Sequence, residues 1–256
     1  MKKPLFLALS ILFALLLTAC SKTGAAGRNA AAASSAVSAP AADATIRKNL
    51  QERLPQLPPI EEIRSTAMPG VYEVRVGATG IFYTDVQGDF LIQGAMMDTQ
   101  TRRNLTEERV NALNAIGFDT LPLKDAIVFK NGNGRRKVAV FEDPNCPYCH
   151  HFEAELAKVK NLTVYMFLYP ILGPDSAVKS QNIWCAADRA KTWQDWMLRQ
   201  QAPAAAQCDT AAVQRVVAFG REHRITGTPT IVFEDGRRVS GAMDAAALEN
   251  MLQQKR

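Results

Sequence analysis

KVAVFEDPNCPYCHHFEAELAKVK, residues 137–160, holds the transition on which the fold turns. KVAVFE is a short apolar, β-rich run that reads as a central strand. The residues after Cys149 are good helix formers, with Phe152, Leu156 and Val159 on one face. Two cysteines three positions apart therefore stand where a strand gives way to a helix. Pro147 suits the first helical position, where the N–H it lacks has no helical partner anyway. Unpaired N–H groups and the dipole at a helix N-terminus favour a thiolate at Cys146, while Cys149, one turn on, lies deeper and ionises less readily. Cys146 is then the attacking sulfur and Cys149 the resolving one.

Three other chemistries compete for this stretch. Cys146, Cys149 and His150 match the CxxCH attachment signature of c-type haem, but that signature normally sits in a loop and helix context with a distant axial ligand. Zinc needs a second ligand pair, and Cys185 with Cys208 lack CxxC spacing. A purely structural disulfide across so small a ring restrains the chain very little. Thiol exchange, which needs neither metal nor cofactor, fits best.

The remaining composition bounds the setting. Met1-Lys2-Lys3 and the apolar run PLFLALSILFALLLTAC read as an export signal over 1–19, and Leu17-Thr18-Ala19-Cys20 looks like the lipobox of bacterial lipoproteins. Cys20 is then the lipidated first residue of the mature chain, and the membrane is met only through that lipid. Residues 20–44, small and nearly uncharged, read as a flexible tether. Removing Lys2 and Lys3 lowers the net charge from +5 to +3. With no basic stripe interleaved with aromatics, nucleic acid is not an expected partner. Beyond Cys20 four cysteines remain, which allow three pairings; close spacing favours Cys146 with Cys149.

From Thr45, Ile46, Leu50 and Leu54 recur at helical intervals, and PPIEEIRSTAMPG then breaks the pattern with prolines. VYEVRVG, GIFYTDV and DFLIQGAMMD follow as β-rich runs suited to an antiparallel meander. A unit of about 60 residues is marginal alone, a physical reason for it to pair with a second copy. NLTEERVNALNAIGF predicts a connecting helix with Thr106 in a capping box and Val110, Leu113 and Ile116 on one face. LPLKDAIVFKNGNGRRKVAVFE reads as a hairpin or strand pair that turns at Gly132 and Gly134.

Downstream, ITGTPTIVF places Thr228-Pro229 at the mouth of a β-rich run, where an interior proline breaks pairing, so a cis bond is expected. With its CxxC and this Thr-Pro the sequence resembles the thioredoxin superfamily. The resemblance implies that Pro229 lies against the sulfurs and that the Thr228 backbone pairs with an extended substrate.

Cys185 and Cys208 bracket 22 residues containing Trp193 and Trp196, with Trp184 just before. This resembles the helical insertion of the DsbC/DsbG family of periplasmic disulfide isomerases, closest to its DsbC branch. Likeness to that family extends from about Thr45 to the end of the chain. It implies a structural Cys185–Cys208 bond. It also implies an α+β N-terminal dimerisation domain (cystatin-like, 45–103), a linker helix (104–118) and an α/β thioredoxin-fold catalytic domain with a helical insertion (119–256). A homodimer, misfolded disulfide-containing exported substrates and the membrane reductase DsbD complete what the family implies. Pro147-Tyr148 departs from the Gly-Tyr common in DsbC proteins and matches DsbG and glutaredoxins; this pair tunes redox poise between isomerising and protecting thiols. The lipobox is a second departure. Glu142 and Asp143 could pass protons to Cys149, but acids at a strand end are more often solvated or capping, which is the expectation here; His150 and His151 could stabilise the thiolate, with helix-surface positions the simpler reading.

Overall fold

The computed structural model describes residues 39–254. The signal segment, Cys20 and most of the tether lie outside these residues. A helix, α1 (Ala39–Arg53), already occupies 39–44, so ordered structure begins before Thr45. Its Ala42, Ile46 and Leu50, four apart, are buried with Ile60, Val74 and Val76 of the sheet that follows.

That sheet is an antiparallel meander of β1 (Ile60–Ser65), β2 (Val71–Val76), β3 (Gly80–Asp85) and β4 (Leu91–Ile92). β1 falls in the segment expected only to break the pattern. A register shift between Ile60 and Glu62 interrupts its alternation, so the period of two that marks a strand is not visible there. A small ribbon, β5 (Met97–Asp98) with β6 (Arg103–Asn104), leads into α2 (Leu105–Asn114).

The N-cap of α2 is Asn104, whose side chain accepts from the Glu107 N–H at 3.1 Å, and not Thr106. The Thr106 hydroxyl instead accepts from the Met96 N–H at 2.8 Å and pairs with the Tyr83 hydroxyl. Nor does α2 dock through an apolar stripe, since it has no buried residue. Arg109 holds it to the sheet, donating to Glu73 at 2.9 Å and also to Glu62. Ile116, past the helix end, is buried and donates its N–H to the Gly236 carbonyl at 3.0 Å.

The second sheet runs β11-β10-β8-β9-β7, from β7 (Ile127–Asn131), β8 (Arg136–Glu142), β9 (Leu162–Leu168), β10 (Thr230–Phe233) and β11 (Arg238–Ser240). The chain does turn at Gly132 and Gly134, both at positive φ, yet β7 and β8 are not a hairpin. β9 lies between them, parallel to β8 and antiparallel to β7. A local turn signal reports the reversal of the chain, not which strand fills the gap beside it.

Helices cover both faces of this sheet: α3 (Pro147–Leu156), α4 (Pro174–Trp184), α5 (Arg189–Arg199), α6 (Ala211–Glu222) and α7 (Ala245–Gln253). Val138 and Val140 of β8 share a core with Phe152, Trp193 and Leu248, whereas Ala139 and Phe141 share another with Phe167 and Val216. Burial on both sides explains why β8 reads as a continuous apolar run.

Gly220 lets α6 approach Tyr169, for an added Cβ would sit 2.4 Å from that buried ring. The ring is pinned, its hydroxyl donating to the Ile225 carbonyl at 2.8 Å. Gly220→Ala, which stabilises an exposed helix by roughly 1 kcal/mol, is therefore expected to destabilise this protein by about 1–3 kcal/mol. The midpoint of urea unfolding measures it.

Candidate active site

β8 ends at Glu142, and the next four residues form the turn into α3. Asp143, fully buried, organises that turn. Its carboxylate accepts from the Asn145, Ile171 and Leu172 N–H groups at 2.8, 2.8 and 2.9 Å and from the Ser176 hydroxyl at 2.7 Å. Asp143 is thus a capping group, in the interior and not in solvent. Cys146 is the N-cap of α3, with Pro147 at the first helical position.

Cys146 and Cys149 are unbonded. Cys146 keeps only 4% of its surface exposed and Cys149 none, so the outer thiol too is largely enclosed. The Cys146 thiol donates to the Thr228 carbonyl at 3.2 Å, immediately before the cis bond to Pro229 at the start of β10. Burial above all, then the negative charge of Glu142, pushes the Cys149 thiol far above the ordinary thiol range, against the opposing Asp143 backbone hydrogen bond. Between the cysteines Pro147 and Tyr148 are exposed, and Leu172 stands exposed next to the loop that Asp143 ties down.

Glu142 is not solvated. It is fully buried, beside Cys149 and Glu153, and neither carboxyl oxygen finds a hydrogen-bond partner of good geometry. Burial, then the charge of Glu153, raises its pKa well above the usual carboxylate range. Glu153, four residues past Cys149 on α3 and 2% exposed, is also raised by burial, although the adjoining Glu142 carboxyl and the hydrogen bond from Trp193 hold it back. The Trp193 indole N–H reaches Glu153 at 2.7 Å. Glu153 was legible in principle, because helical spacing from Cys149 puts it on the cysteine's own face. No local signal marks Trp193.

Cys185 and Cys208 form a disulfide with a 2.05 Å S–S bond, closing the segment that carries α5. This segment grips the active-site turn. Trp196 donates to the Pro144 carbonyl at 2.5 Å, and the two ring nitrogens of His150 lie 2.9 Å from the Met197 carbonyl and 3.1 Å from the Pro144 carbonyl. His150 is therefore a bridge between α5 and the turn instead of a free surface group, while His151 is exposed. The double variant Cys185→Ala/Cys208→Ala is expected to lose about 3.5 kcal/mol by chain entropy. Denaturant titration against the parent measures the loss. Among the described residues no group of three or more His, Cys, Asp or Glu side chains is arranged to hold a metal ion.

Two family models match: a thioredoxin-like domain over residues 123–256 and the disulfide bond isomerase protein N-terminal domain over 34–107. A probable thiol:disulfide interchange protein DsbC of Bordetella parapertussis is 48% identical over 183 residues, covering 72% of this chain and 65% of that one. The chain thus spans less than two thirds of the length of that relative. The thiol:disulfide interchange protein DsbC of Escherichia coli is 30% identical over 181 residues, covering 68% and 73%. A disulfide interchange protein from Neisseria gonorrhoeae of known crystal structure is 42% identical, with a TM-score of 0.50 over 53% of this chain and 100% of that one. With a DsbC-type N-terminal domain followed by a thioredoxin-like domain that bears a CxxC at its helix start, this chain belongs to the DsbC family of thiol:disulfide interchange proteins.

Proposed function

We propose that the protein is a thiol–disulfide isomerase of the bacterial periplasm, acting on exported proteins with misplaced disulfides through Cys146 and Cys149. The observation that carries this is the Cys146 sulfur at the cap of α3, 3.2 Å from the Thr228 carbonyl, with Cys149 one turn deeper and closed to solvent. The Cys146 thiolate attacks a substrate disulfide; one substrate sulfur leaves as a thiolate and the other is held in a mixed disulfide. That thiolate then attacks another substrate disulfide, and the rearranged substrate is released as Cys146 is displaced. Where rearrangement fails, Cys149 attacks Cys146, the two form a disulfide, and the substrate departs reduced. The Thr228 backbone, next to the reacting sulfur, is placed to pair with an extended substrate, and Tyr148, 68% exposed, offers it an apolar face.

A homodimer joined through the N-terminal domains, re-reduction by DsbD and a lipid on Cys20 belong to the same proposal. Family membership and the sequence of residues 17–20 support them. Pro147-Tyr148 favours one other reading, a DsbG-like thiol-protecting reductase and chaperone, or a dithiol oxidase. Recovery of scrambled ribonuclease, measured beside oxidation of reduced ribonuclease on one preparation of residues 20–256, separates them. The isomerase recovers the scrambled substrate; rapid oxidation with no reshuffling overturns the proposal.

A further inference from the structure

The loop between β9 and α4 borders the proposed exchange site and also opens one end of a groove that the chemistry at the sulfurs does not use. Ile171 and Leu172 donate their N–H groups to Asp143 of the catalytic turn at 2.8 and 2.9 Å, and the Asn145 side chain donates to Asp175 at 2.7 Å. This loop and the first turn of α4 are therefore held against the turn that carries Cys146. Pro170, in the same loop, lines a cavity of about 450 Å³ between α4 and α6. Ligand sites span about 300–1,000 Å³.

Ala177 on α4 and Val213, Val217 and Ala218 on α6 give the groove apolar walls, and Arg221 stands at one end. Ala177, Ala218 and Arg221 are exposed and Val217 is half-buried, so the groove opens to solvent. Along α6 its lining runs from Thr210 to Arg221, about 16 Å of helix. A peptide of about five extended residues spans that length. The Arg221 end leads to the site. Gly220, beside Arg221, packs on the Tyr169 ring, and the Tyr169 hydroxyl donates to the Ile225 carbonyl at 2.8 Å, a few residues before the Thr228-Pro229 junction at Cys146. The loop bearing Leu172 and the loop bearing Thr228 thus meet at this end of the groove.

We propose that the groove between α4 and α6 receives an extended, apolar stretch of the substrate chain a few residues from the disulfide under attack, and so selects disulfides set in apolar sequence. The inference rests on exchange at Cys146. Exposed Leu172 carries the apolar surface from the site toward the groove. Unfolded proteins expose such stretches because these are the residues their cores will bury. Contacts made here lie away from the reacting sulfurs, so a long substrate gains from them and a small disulfide does not.

Reduced residues 20–256 are mixed with a peptide of about eleven residues whose single cysteine is disulfide-linked to glutathione. Valines stand at alternate positions on both sides of the cysteine; a second peptide has serines in their place, and oxidised glutathione is the small control. Loss of each disulfide after acid quench, followed by mass spectrometry at low substrate concentration, gives the rate constant for attack. The parent is expected to attack the valine peptide about tenfold faster than the serine peptide. In Ala177→Trp/Ala218→Trp, which fills the groove, and in Ala218→Glu, which puts a charge into it, the preference falls below about threefold. Both variants keep the parental rate with oxidised glutathione, which also shows that they are folded. A parent inert toward all three disulfides refutes the exchange proposal and this inference with it. A parent that attacks both peptides alike, or a preference of about threefold or more kept by either variant, overturns the groove alone. Weakened self-association of the variants in sedimentation, with the valine preference intact, assigns the groove to a second copy of the chain and likewise overturns it.

Discussion

Cys146→Ala is expected to reduce recovery of scrambled ribonuclease to the uncatalysed rate, while suppression of aggregation by the same protein stays largely intact. Exchange begins with a thiolate, and Cys149 cannot supply one, being fully buried and held protonated above all by that burial. On the proposed function, unfolded chains are held by exposed apolar surface that the substitution leaves alone, and Tyr148 and Leu172 are both exposed. Cys149→Ala is the informative contrast, since attack survives and substrates accumulate as mixed disulfides at Cys146. Equal recovery by Cys146→Ala and the parent would assign the activity to holding, with the thiols as bystanders.

Glu142→Gln should change stability with a definite sign on pH. A carboxyl whose folded pKa lies above its unfolded value binds more protons when folded, so it weakens the fold progressively as pH rises above the unfolded value of 4.5. The glutamine variant loses that penalty. Its stability relative to the parent should therefore be least at pH 4 and should grow by up to about 1.4 kcal/mol for each pH unit above 4.5, until the folded-state pKa is passed. Thermal melts of both proteins at pH 4, 5, 6 and 7 measure the difference. A gap independent of pH would mean that Glu142 ionises as freely in the fold as outside it.

How much of this was legible in the sequence varies with how local the cause is. The strand-to-helix step at Cys146 is written in adjacent residues, Pro147 included, as is the Thr228-Pro229 junction. The reversal at Gly132 and Gly134 is equally local, but the insertion of β9 between β7 and β8 depends on contacts made 30 residues later, so the hairpin expectation failed. Thr106 looked like a cap because acids follow it, yet its hydroxyl is taken by the Met96 N–H and Tyr83, and Asn104, two residues earlier, aims its side-chain oxygen at the Glu107 N–H. Glu142 was misread for a more general reason. A charge at a strand end usually meets water, and only packing by α3 and α5 closes water out. Asp143 shows the opposite outcome for the neighbouring acid, because four donors converge on it.

The grip of α5 on the catalytic turn has an optical consequence. Trp193 touches the carboxyl of Glu153 and Trp196 the carbonyl of Pro144, two residues ahead of Cys146. Intrinsic emission is quenched or shifted when a neighbouring group gains charge or moves, so both indoles are built-in beacons for events at the sulfurs. A change of charge at Glu153 should therefore register through Trp193, and a shift of the turn through Trp196, as a change in fluorescence from the unlabelled protein.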